Sequence, residues 1–234
     1  MAHNEMSATD DIAARLATVS ERIANACARA HREVASVRLV LASKTQPPDA
    51  IAAAYAAGAR DFGENYVQEA ILKRVALAHL PDARWHLIGH LQSNKARVAA
   101  ENFDLIHTLD SARLANALSR IRPAPPMPVL IEVNLGGEAS KSGVPPDAVA
   151  PLLETIRNYV DVRGLMTIPP PADNLDVAHR WFAQLRELRD RLATATGLAL
   201  QELSMGMTED YEAAIEEGAT IVRVGRAVFG ERLR

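Results

Sequence analysis

The chain has 234 residues, 48% of them hydrophobic and 24% charged, with a formal net charge of -3. Such a composition excludes a disordered chain, and mild acidity gives no electrostatic reason to bind nucleic acid. No apolar run reaches the roughly 18 residues of a membrane span. The polar amino terminus lacks a secretory pattern and Cys27 is a lone thiol, so a disulfide-free cytoplasmic protein is expected.

Taken in chain order, the pattern opens with an amphipathic helix over 9–35, in which Ile12, Leu16, Val19, Ile23 and Ala26 share one face. A β-branched run, VRLVLAS (37–43), then a helix over 48–58 and the short strand DFGE (61–64) follow. Further strands are expected at 85–89, 104–109, 128–134, 162–167, 200–204 and 220–225. Helices are expected at about 65–79, 94–101, 111–121, 146–159, 174–196 and 209–217. Strict alternation implies a parallel sheet with helices outside it. Eight units of roughly 25–30 residues match a closed (β/α)8 barrel, a TIM barrel with an extra N-terminal helix, spanning 1–234 as one domain. An open doubly wound sheet shares the alternation but usually has fewer strands at this length.

Barrel chemistry collects at the carboxyl ends of strands. The first strand ends in Ser43-Lys44-Thr45. An amine at the mouth, partly removed from water, is a nucleophile for aldehydes. Only four lysines occur, and Lys73 and Lys95 fall within helices among polar neighbours, where a surface position is expected. The seventh strand runs into Ser204, Met205, Gly206, Met207 and Thr208, and the eighth into Arg223, Gly225 and Arg226. Glycines, hydroxyls and arginines on these two loops describe a phosphate cradle. IPPPAD (168–173) follows the sixth strand and belongs to the same loop face. An amine opposite a phosphate cradle suits a phosphorylated aldehyde. Pyridoxal 5′-phosphate fits, as does a class I aldolase substrate, and spacing does not separate them.

Several segments, in order along most of the chain, carry a resemblance: ASKTQP (42–47), FGENYVQE (62–69), WHLIGHLQSNK (85–95), HTLD (107–110), SKSG (140–143), RGLMTIP (163–169), LSMGMTEDYEAAIEEGAT (203–220) and VRVGRAVFGER (222–232). The chain resembles the YggS/PROSC family of pyridoxal phosphate homeostasis proteins. That resemblance implies a barrel similar to the N-terminal domain of alanine racemase, with pyridoxal 5′-phosphate held as a Schiff base on Lys44. It implies the phosphate on Ser204, Met205, Gly206 and the Arg223–Arg226 segment, Arg223 facing the pyridine nitrogen, and Asn65 close to the ring. Many members have Thr where this chain has Arg226, whose guanidinium is then expected to reach the phosphate itself.

An arginine at the ring nitrogen leaves it unprotonated and the electron sink weak. A racemase also needs a second acid/base, a tyrosine supplied in alanine racemases by another domain. Here Tyr55 and Tyr159 fall in helices and nothing marks Tyr66 or Tyr211 as a base. The expectation is therefore a monomeric, non-catalytic carrier that passes the cofactor to pyridoxal-phosphate-dependent apoenzymes. A small amino-acid racemase or lyase is the alternative. His86 is a candidate for the space beneath the ring, and His86 with His90 lacks a third metal ligand. Lys141, in a glycine-containing loop, is a candidate transient second acceptor for the aldehyde.

Overall fold

Residues 8–138 and 141–230 are described by a computed structural model. Ser140 of the SKSG segment, and Glu231 and Arg232 at the end of VRVGRAVFGER, lie outside them. The eight expected strands all form: β1 (Arg38–Ala42), β2 (Asp61–Glu64), β3 (Arg84–Leu87), β4 (Leu105–Leu109), β5 (Pro128–Glu132), β6 (Asp161–Met166), β7 (Glu202–Ser204) and β8 (Ile221–Val224). They pair in parallel in sequence order, and β8 returns to β1 with Val40 opposite Arg223, closing the barrel. That closure excludes the open sheet. The helices on the outside are α2 (Pro48–Ala56), α3 (Val67–Ala76), α4 (Ala96–Asn102), α5 (Ala112–Ile121), α6 (Val149–Ile156), α7 (Leu175–Thr196) and α8 (Tyr211–Glu216). They follow α1 (Ala8–Arg29) and precede a last turn, α9 (Arg226–Phe229). Among the described residues, no helix is long and apolar enough to cross a membrane.

The first helix stops earlier than its periodicity predicts. His31 takes a left-handed φ of 53°, and the Arg32 N–H turns back to the Cys27 carbonyl at 2.8 Å. Residues 34–36 then form one separate 3-10 turn. The apolar spacing in this stretch continues past the break, so periodicity alone runs through it.

Two hydrophobic cores result. The large one lies between strands and helices. The small one, Val40, Leu105, Leu130, Met166 and Ile221, fills the barrel interior. Register identifies its polar neighbours, because laterally paired strand residues face the same way. Asp61 and Arg223 pair with Val40, His86 with Leu105, Ser204 with Ile221, and Glu132 with Met166. All five polar side chains therefore point inward. The barrel is filled by five apolar residues and a buried polar column, and that column leads to the site.

Candidate cofactor-binding site

A cavity of about 630 Å³ opens at the carboxyl-terminal end of the barrel, walled by the loops after β1, β6, β7 and β8. Lys44 and Arg223 line it from opposite sides of the β1–β8 seam, with Gly225 and Arg226 beside them. The proline-rich loop 168–172 forms an apolar wall, as its place after the sixth strand suggested. Lys141 lines the same cavity, its ammonium 2.5 Å from Glu138.

Lys44 sits at the corner of a tight turn. The Gln46 N–H donates to the Ser43 carbonyl at 3.0 Å, and Thr45 adopts a left-handed φ of 66°. Ser43 is fully buried and Lys44 half-buried, so the backbone is anchored in the wall while the amine reaches the mouth.

The loop after β7 turns at Gly206, whose φ of 90° favours glycine. A Cβ there would lie 2.5 Å from the Ala214 Cβ, so the loop is pressed onto α8. Met207, Thr208 and Asp210 then reach the cavity, and Asp210 Oδ1 accepts the Met207 N–H at 2.7 Å. At the other loop, a Cβ on Gly225 would stand 3.0 Å from the Ala42 carbonyl, which brings the end of β8 close to the Lys44 turn. The Arg226 guanidinium lies exposed and bonds Glu209 at 2.9 Å, so here it engages a carboxylate on the neighbouring loop.

Beneath the cavity runs a hydrogen-bond relay. Arg223 Nη1 donates to Ser204 Oγ at 2.5 Å, and Ser204 Oγ meets His107 Nδ1 at 2.9 Å. His107 Nε2 meets His86 Nδ1 at 2.9 Å, and His86 Nε2 meets Asp61 Oδ1 at 2.9 Å. Arginine only donates and an ionised carboxylate only accepts, so the relay receives a hydrogen bond from Arg223 at one end and gives one to Asp61 at the other, while the tautomers of His107 and His86 set the links between. Burial would raise the Asp61 carboxyl, but hydrogen bonds from His86 and Arg84 outweigh it and hold it at about 2. Burial, aided by the His86 and Arg223 charges, pushes His107 well below the usual histidine value. Burial lowers Arg223 to about 10 against the Asp210 and Glu132 carboxylates, leaving it charged at neutral pH.

Of the residues expected from sequence, Lys44, Arg223, Gly225 and Arg226 meet at one cavity. Ser204, Met205 and Gly206 are buried behind its wall, and the Ser204 hydroxyl is committed to the relay. Asn65 is half-buried at the end of β2 and does not line the cavity. His86 is a buried relay member two links below Ser204, beneath the cavity and not among its lining residues. His90 lies exposed 3.5 Å from Asp110, and no cluster of three metal-ligating side chains occurs among the described residues. Lys73 is corrected. It is buried and ion-paired to Glu64 at 2.8 Å, because the wall of the barrel supplies it with acceptors. Lys95 is a surface residue bonded to Gln68. Two participants escaped sequence reading, His107 and Glu132. Both stand at inward positions of strands, a signal available only once the register is known.

Fold and site together define a closed (β/α)8 barrel with an amine at strand one and an arginine at strand eight facing one cavity. The family model described as alanine racemase, N-terminal domain, matches residues 15–233. The pyridoxal phosphate homeostasis protein of Pseudomonas aeruginosa is 48% identical over 225 residues, covering 94% of this chain and 96% of the relative. The protein of that name from Escherichia coli strain K12 is 40% identical over 233 residues, covering 95% and 97%. PipY from Synechococcus elongatus, solved with pyridoxal phosphate bound, superposes with a TM-score of 0.82 at 42% identity, covering 94% of this chain and all of PipY. Alanine racemase from Corynebacterium glutamicum, at 19% identity and TM-score 0.69, shares the fold over 62% of its length. The chain belongs to the pyridoxal phosphate homeostasis protein family.

Proposed function

We propose that the protein binds pyridoxal 5′-phosphate in this cavity and serves as an intracellular carrier of it, not as a catalyst. Lys44 takes the aldehyde as a Schiff base, releasing water, and the segments 204–208 and 223–226 hold the phosphate. The observation that carries the reading is the meeting of the Lys44 amine, Arg223 and both loops at one cavity of about 630 Å³. The donor set fits the ligand: one primary amine for an aldehyde, and cations beside closely approached backbone for an anion. The names of the relatives and the cofactor seen in PipY support it.

Arg223 supports the carrier role. Two of its N–H groups are held by Ser204 and the Thr167 carbonyl, and the guanidinium stays charged. Bound pyridoxal phosphate would supply an electron sink, and a charged arginine at its nitrogen keeps that sink weak. Among the described residues no tyrosine lines the cavity. Tyr66 is exposed, and Tyr211 is buried against α1 with its ring beneath Arg22. Asn65, at the end of β2, would lie near the ring in this reading. Lys141, on the opposite wall, acts as a transient second acceptor when the cofactor leaves for an apoenzyme. In this reading the carrier is a cytoplasmic monomer, with 1–234 as one binding unit.

The test is an absorbance spectrum after adding pyridoxal phosphate, where an imine band near about 420 nm is expected. Borohydride reduction and peptide mapping should place the label on Lys44. Because Lys141 shares the cavity, Lys44→Ala is paired with Lys44→Ala/Lys141→Ala, and only the double variant is expected to lose all label from the site. Absence of label from Lys44 in the parent protein refutes the assignment. Turnover of D- or L-amino acids above free cofactor would instead favour a racemase or lyase.

A further inference from the structure

The turn that carries Lys44 is tied down by a side chain from a neighbouring helix. Lys73 lies in the second turn of α3, on the outer surface of the barrel wall, with its side chain 6% exposed. Its ammonium donates to the Ser43 carbonyl at 2.7 Å and to Glu64 Oε1 at 2.8 Å, and lies 2.7 Å from Glu69 Oε1. Two hydrogen bonds and a further ion pair thus surround the ammonium group. The same two carboxylates hold the turn directly. The Ser43 hydroxyl donates to Glu64 Oε1 at 2.6 Å, and the Thr45 N–H donates to Glu69 Oε1 at 2.6 Å. Both neighbours of Lys44 are thus gripped by groups that Lys73 neutralises.

The grip has work to do. Thr45 occupies a left-handed conformation, which persists in a non-glycine residue only where surroundings over-determine it. Glu64 is fully buried, and its Oε2 has no partner among the described residues. Burial pushes its carboxyl up, against the hydrogen bonds from Lys73 and Ser43. Removing the ammonium would leave a buried carboxylate without its cation and free the Ser43 carbonyl, so the turn would lose its fixed geometry.

We propose that Lys73 is a positioning residue that fixes the Ser43–Lys44–Thr45 turn, so that the Lys44 amine, and not Lys141 across the same cavity, captures the aldehyde. This rests on Lys44 as the cofactor-bearing lysine, and the experiment separates the two claims. Pyridoxal phosphate is added to the parent and to Lys73→Met, the imine is reduced with borohydride, and the ratio of label on Lys44 to label on Lys141 is read by peptide mapping. No label on Lys44 in the parent overturns the underlying reading before any variant is made. With the parent labelled there, Lys73→Met is expected to shift the ratio about tenfold toward Lys141, and Lys73→Arg, which keeps the cation, to restore most of it. General destabilisation lowers both labels together and leaves the ratio unchanged, so a ratio within about twofold of the parent overturns the proposal. If Lys73→Met does not fold, Glu64→Gln/Lys73→Met removes the buried charge as well. Glu69→Gln, on the partly exposed side, loosens Thr45 with Lys73 in place. The same ratio in either variant decides.

Discussion

Glu132→Gln is expected to stabilise the protein above neutral pH and to change little in acid. Glu132 ends β5, points into the barrel, is 7% exposed, and its Oε2 has no partner among the described residues. Burial, aided by the Asp110 charge and opposed by Arg223, pushes its carboxyl from 4.5 to about 7. A folded-state value above the unfolded one means that the folded protein holds the extra proton between the two values. Stability from this group is therefore complete below 4.5 and falls as pH rises to about 7. At about 1.4 kcal/mol per tenfold in proton affinity, the ionised form costs about 3 kcal/mol in the fold. Glutamine keeps the shape and removes the titration. His107 works in the opposite direction, since a depressed histidine withdraws stability as pH falls, so the informative quantity is the variant-minus-parent difference at each pH. Urea unfolding of the cofactor-free proteins should show curves that coincide near about pH 4 and separate by about 3 kcal/mol near about pH 8. A difference that stays flat across this range would refute the assignment of an unsatisfied, proton-binding carboxyl at the barrel mouth.

Three further outcomes are expected. Asp61, held at about 2 against 3.8, has a depressed value, so it contributes about 2 kcal/mol above pH 3.8 that is lost as pH falls toward 2. Asp61→Asn should remove that acid limb from a series of thermal melts, and an unchanged limb would show that the relay does not end on a carboxylate. Ser204→Ala deprives Arg223 Nη1 and His107 Nδ1 of their shared partner. It should cost about 2 kcal/mol in urea unfolding and weaken pyridoxal phosphate binding in a fluorescence titration, although its hydroxyl never reaches the cavity. Gly206→Ala combines a positive φ with a 2.5 Å overlap on Ala214. A loss of about 2 kcal/mol or more, with weaker cofactor binding in the same titration, checks the closeness of that loop.

What was legible in the sequence follows from the range of the interactions. Strands showed through because β-branched runs between turn residues are local signals, and Lys44 stood out because it comes just past such a run while Arg223 stands one residue before the end of another. The end of α1 did not, since apolar spacing ran on past the left-handed break at His31. Lys73 was misread for a similar reason. Its neighbours in α3 are polar, but the acceptors that bury it, Ser43 and Glu64, come from β1 and β2, 30 and 9 residues away. The relay is less local still, for His107 meets His86 across 21 residues and Ser204 across 97. Only the closed register brings those inward positions together.

That register also bears on the proposed carrier role. A catalyst acting on an amino acid must deliver and remove protons at the cavity. The relay beneath Arg223 is poorly suited to do so. It ends on a carboxylate held at about 2, runs through a histidine kept neutral by burial, and begins on a guanidinium at about 10. Moving a proton along it at neutral pH would mean deprotonating the arginine or protonating the carboxylate, each about three or more tenfold steps uphill. A buried chain pinned between a guanidinium and a carboxylate supplies fixed charge and fixed geometry instead. Those are the properties that bind an anionic aromatic ligand tightly, and they leave Glu132, near 7, as a buried group at the mouth that can change its charge under cellular conditions.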